Sequence, residues 1–129
     1  MRIPLLLSLT LVSCGTVPSG GNGKEVYRYV NTLDFGNDNT LDQVTVIGYD
    51  DNHMREATRL DVTVGSSKIT LRDPYDGTSG GAMYNPGVDL MTDGALVVKW
   101  AEIGEVHCRA EIIAGPGGKL VERKRVTAD

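Results

Sequence analysis

The chain has 129 residues, a formal net charge of −4 at neutral pH, 40% hydrophobic residues and only 5% aromatic ones. That length holds one domain with one modest core. The acidic balance argues against a nucleic-acid partner, and the shortage of aromatic rings argues against a sugar-stacking groove.

The first element is a leader. Met1-Arg2 supplies one positive charge, Ile3 to Val12 is an almost unbroken apolar run, and Leu11-Val12-Ser13-Cys14-Gly15 closes it. A charged start, a short apolar middle and small residues at the end form the layout of a secretory signal. The run is about ten residues, half of what a membrane-spanning helix needs. An ordinary cleaved signal with a cysteine near the cut would share this layout, and Pro4 with the single Arg2 makes the start atypical.

Leu11-Val12-Ser13-Cys14 resembles the lipobox of bacterial lipoproteins. The resemblance implies that residues 1–13 are a signal peptide removed just before Cys14, whose thiol is acylated. The mature chain would then be an exported envelope protein that reaches the membrane through its lipid. Acyl chains contribute about 0.8 kcal/mol per buried methylene, so several on one cysteine hold a small domain at a bilayer. In that family an aspartate after the cysteine favours inner-membrane retention; Gly15 at that place leans towards an outer membrane.

Residues 14–23 follow as a tether, since Gly15 to Gly23 is Gly, Ser, Thr, Pro and Asn with one valine. From residue 24 to 129 the alternation is that of a single β domain. Strands are expected at Glu25–Val30, with Tyr27 and Tyr29 on one side and Val26 and Val30 on the other, and at Gln43–Tyr49. Arg59–Val64 and Lys68–Arg72 read as a hairpin around Gly65-Ser66, with Leu60, Val62, Val64, Ile69 and Leu71 inward. Asn52–Arg59 is the one stretch with any helical character, and it is short and weakly patterned. Asp73–Gly87, punctuated by Pro74, Gly77, Gly80, Gly81, Pro86 and Gly87, reads as a long loop. Ala95–Ile103, Glu105–Ala114 and Lys119–Thr127 complete the set, the last being a charged edge strand through Arg123, Lys124 and Arg125. About seven short strands at regular spacing predict a small antiparallel β-sandwich, immunoglobulin-like or similar.

Two segments carry candidate chemistry. Asp34, Asp38 and Asp42 fall at the first, fifth and ninth places of Asp34-Phe35-Gly36-Asn37-Asp38-Asn39-Thr40-Leu41-Asp42, a spacing that lets oxygens converge on calcium. The segment is similar to the calcium loop of FG-GAP propeller repeats, and Asp89–Leu96 echoes it. Gly36 replaces one oxygen donor, however, and the chain has room for two such repeats where a propeller needs about four. The competing reading is a turn in which Asp and Asn cap their own amides, with Asn39 in the left-handed region. The second segment is Asp73–Gly87, where Tyr75, Asp76 and Tyr84 could contact a ligand.

Catalytic signals are thin. His53 and His107 have no metal-ligand spacing with each other or with a cysteine, and no Gly-x-Ser-x-Gly elbow is present. Cys108 lies on the apolar side of its strand and reads as core. The expectation is a non-catalytic binding or structural module, touching an envelope protein or glycan through its loops and needing no cofactor. A calcium-stabilised adhesion module is the second reading, and a hydrolase of envelope polymers the third.

Overall fold

A computed structural model of the chain describes residues 23–51, 55–72, 82–102 and 106–128. The leader, Cys14, His53, Tyr75 and Asp76 lie outside the described residues. Among the described residues eight strands carry the fold: β1 Lys24–Leu33, β2 Asp42–Asp50, β3 Arg59–Val64, β4 Ser67–Arg72, β5 Tyr84–Leu90, β6 Leu96–Glu102, β7 Val106–Ala114 and β8 Leu120–Ala128. Each pairs antiparallel with the next inside its sheet, giving two successive four-stranded meanders, β1-β2-β3-β4 and β5-β6-β7-β8. Strand β1 lies against β5, and β4 against β8, so the sheets stack in matching order. The result is an antiparallel β-sandwich. Its connectivity is two consecutive meanders and not the Greek key of immunoglobulin domains.

One core fills the space between the sheets. Val44, Val46, Leu60, Val62 and Leu71 enter from the first sheet; Leu96, Val98, Trp100, Cys108, Ala110 and Ile112 enter from the second. These positions alternate along their strands because successive side chains point to opposite faces. On β1 the tyrosines take the inner face, while Val26 and Val30 stay 39% and 50% exposed. Strand β8 sits at an edge of its sheet, as its charges suggested. Arg125 Nη1 donates to the Arg72 carbonyl at 2.7 Å and the Ser67 hydroxyl to the Gly118 carbonyl at 2.9 Å, tying β8 and its turn to β4. The sandwich is therefore closed along that side.

One expectation needs correction. Asp73–Gly87 is not loop to its end: from Tyr84 the chain is strand β5, whose pairing with β6 shifts register between Tyr84 and Gly87. Asn85 and Pro86 occupy that irregularity, which accommodates a residue that cannot donate to the ladder. The described part of Asn52–Arg59, short and weakly patterned in sequence, is a bend with one bridge between Ala57 and Met83, and Arg59 already opens β3.

The two aspartate-bearing turns occupy equivalent places, each joining the first and second strands of its meander. They meet: the Gly36 amide donates to the Gly94 carbonyl at 2.9 Å. Both glycines have positive φ, +86° and +91°, a region that L side chains rarely enter. A Cβ at Gly94 would lie 2.5 Å from Asn37 N, so only glycine allows this approach.

Candidate functional site

Two of the three strand register shifts among the described residues lie at one end of the sandwich. Strand β1 changes register between Glu25 and Tyr27, which leaves Val26 as the extra residue of a bulge. Strand β5 has its own shift between Tyr84 and Gly87. Between them runs the segment carrying Arg55, Glu56 and Ala57. Among the described residues four non-glycines have positive φ, and two of them, Arg55 (+66°) and Asn85 (+51°), stand here. Such conformations cost about 1–3 kcal/mol and collect where a site is being shaped.

Hydrogen bonds hold that segment in place. Met83 N donates to the Ala57 carbonyl at 2.7 Å and Thr58 N to the Tyr49 carbonyl at 2.8 Å. Asp51 N donates to the Thr58 hydroxyl at 2.9 Å, and Arg55 N to Asp50 Oδ2 at 2.7 Å. Gly48 makes the packing feasible, since a Cβ there would meet both Ala57 Cβ and Tyr27 Cβ at 3.0 Å. Val26, Tyr27, Arg55, Glu56, Ala57, Met83, Asn85 and Pro86 then enclose an open cleft of about 390 Å³. A second hollow of about 450 Å³ adjoins it through Val26 and Arg55 and extends to Lys24 and Asp50.

The floor is apolar, with Ala57 and Met83 buried, and the rim is polar. Burial, with Tyr29 alongside, pushes the Tyr27 phenol above its ordinary value of 10.0, so it stays a neutral hydrogen-bond donor. Arg55 and Glu56 add one charge of each sign. Convergent polar groups around a small apolar floor suit recognition. None of the described lining side chains is a histidine, cysteine or serine.

The residues singled out in the sequence are scattered. Tyr84 is half-buried on β5, opposite Ala101, and turns away from the cleft that its neighbours Asn85 and Pro86 line. The Asp34–Asp42 segment is a turn built by its own side chains. Asp34 Oδ1 accepts from Asp38 N at 3.0 Å and Oδ2 from Asn39 N at 3.2 Å, while Asp38 Oδ1 accepts from Thr40 N at 3.0 Å. Asn37 (+56°) and Asn39 (+66°) take left-handed backbone there. Asp42 opens strand β2, and among the described residues no three acid, histidine or cysteine side chains group as a metal site. His107 is exposed on the outer face of β7. Cys108 is buried, with its sulfur 3.6 Å from Glu102 Oε2 and 3.8 Å from the Thr127 hydroxyl.

The cleft residues that sequence reasoning missed carry only weak local signals. Pro86 inside a run of strand type marked a bulge, but the Ala57–Met83 bridge joins residues far apart in the chain. Compared with known protein families, with curated proteins and with solved structures, the chain matches none.

Proposed function

We propose that this chain is an exported, lipid-anchored envelope protein working as a non-catalytic binding module, with the cleft beside β1 as its contact site. The observation that carries this reading is Leu11-Val12-Ser13-Cys14 at the end of the apolar run Ile3–Val12. The position of the cleft agrees with it. Lys24, where β1 begins, lines the hollow that adjoins the cleft, and Gly15 to Gly23 separate it from Cys14. Nine residues span at most about 30 Å when fully extended. The cleft would therefore work close to the lipid surface, on a partner such as another envelope protein or a glycan end that lies there. Its mechanism is capture: apolar contact on Ala57 and Met83, with Tyr27, Arg55 and Glu56 fixing orientation.

Fractionation of cells expressing wild type and Cys14→Ser, each fed a fatty-acid analogue, tests the proposal. Wild type should carry the label and sediment with membranes; the variant should be unlabelled and soluble. Equal distribution of the two, with no label on wild type, removes the anchor.

A further inference from the structure

The outer face of the second sheet carries a feature that the anchor and the end cleft do not use. Cross-strand pairing sets Lys99 directly opposite Arg109, and Ala101 opposite His107, all on the face away from the core. Like charges facing each other across a pair of strands are destabilising unless something intervenes. Arg109 pairs in turn with Val126 on β8. Ala101 and Val126 are the small floor of a trough of about 320 Å³, walled by Lys99, His107, Arg109 and Asn85.

The guanidinium of Arg109 is poorly used by the protein itself. Its acidic neighbour Glu111 is shared: Arg123 donates to Glu111 Oε1 through Nε at 2.9 Å and Nη2 at 2.7 Å. Arg109 Nη2 is ion-paired with Glu111 Oε2 at 3.6 Å, too long for a hydrogen bond. Its Nε is shielded from solvent and has no acceptor among the described residues. A shielded donor without an acceptor costs about 1–3 kcal/mol, a deficit that a ligand oxygen would relieve. Among the described residues Lys99 is ion-paired with exposed Asp89, a pairing of little worth. Of the side chains that line the trough, Lys99 and Arg109 are charged, both positively, on a chain of net −4; their acidic partners are Asp89 and Glu111.

We infer that this trough binds an anion with a short apolar tail, a phosphate or carboxylate held by Arg109 and Lys99 while the tail lies on Ala101 and Val126. Arginine supplies the forked donors that such oxo-anions accept, and the aliphatic stems of both cations line the tail's path. The same head and tail occur in a free metabolite and in an anionic lipid at the membrane surface.

The experiment titrates the full-length chain with hexyl phosphate, using hexanol as the uncharged control. The fluorescence of Trp100, the only tryptophan and one whose strand lines the trough, is read alongside equilibrium dialysis. Hexyl phosphate should bind saturably and hexanol at least about tenfold more weakly, with Arg109→Gln and Lys99→Gln each costing about tenfold. Glu56→Gln, in the end cleft, should leave binding unchanged. Lys99 is more than half exposed, so its variant keeps the test alive should Arg109→Gln fail to fold. Phosphatidylglycerol and phosphatidylcholine vesicles, offered to the full-length Cys14→Ser chain, separate the sources. Preference for the anionic vesicle that Arg109→Gln abolishes points to a lipid headgroup; no preference, with hexyl phosphate still bound, points to a free anion. Failure of hexyl phosphate to saturate, or indifference of its binding to both substitutions, overturns the inference. Because the probe and the trough variants do not touch Cys14, this outcome is separable from loss of the anchor.

Discussion

Replacing Gly94 by alanine probes how the two meanders are joined at their first turns. Three costs add there. A side chain must adopt φ +91°, which carries about 1–3 kcal/mol of backbone strain. The new Cβ would stand 2.5 Å from Asn37 N and 2.6 Å from Gly36 C, both backbone atoms that cannot swing aside. Pushing the turns apart also removes the Gly36 amide to Gly94 carbonyl bond, worth about 1 kcal/mol. The sum is about 3–4 kcal/mol, a fall of roughly 12–25 °C in melting temperature for a domain of about a hundred residues. Two further substitutions calibrate it. Gly36→Ala has open space around its Cβ and pays only for φ +86°, so it should lose about 1–2 kcal/mol. Gly87→Ala meets nothing within 4 Å and keeps ordinary φ, so it should change stability by less than about 0.5 kcal/mol. Urea unfolding of the three variants gives the ranking, and hydrogen exchange at the Gly36 amide reports the bond itself. A Gly94→Ala variant as stable as Gly87→Ala, with Gly36 still protected, would refute the reasoning.

Other perturbations follow from named contacts. Glu102→Ala strips a buried acceptor from the Trp100 indole N–H, bonded at 2.7 Å, and should cost about 1–3 kcal/mol in urea unfolding, while Glu102→Gln keeps an acceptor and should cost less. Asp34→Ala unties the amides of Asp38 and Asn39 and should lose about 1–2 kcal/mol equally in calcium and in chelator; a chelator-dependent loss would instead mark a calcium site. The Arg123 guanidinium beside Asp93, aided by the Ala95 amide, holds that carboxyl below its ordinary value of 3.8. A depressed carboxyl stabilises the fold above its unfolded value and loses that contribution as pH falls through the lower folded value. Acid unfolding below about pH 4 should therefore be steeper in wild type than in Asp93→Asn, and parallel curves would contradict the contact.

The strands were legible because each half-buried strand alternates, and Arg59–Val64 was found to the residue. Strand β5 was hidden because Pro86 and Gly87, ordinary loop punctuation, sit inside it, in and beside a register shift. On β1 the two faces could be separated but not ranked. Tyrosine and valine are both strand formers, and only packing against the core selected the tyrosine side. The aspartate turn shows the opposite case: its residue types allow an ion but favour a self-capped turn, and the amides that donate to Asp34 give the turn a structural explanation. Neither the end cleft nor the trough could be read from local pattern. One depends on a bridge between Ala57 and Met83, the other on the register that sets Lys99 against Arg109.

The fate of Cys14 decides whether the proposed anchor exists. Mass measurement of the N-terminal peptide, recovered from protein extracted out of its native envelope, addresses it directly. A lipid-anchored protein yields a peptide that begins at Cys14 and carries acyl chains on that residue. A peptide that still contains residues 1–13, with the thiol unmodified, would rule the anchor out.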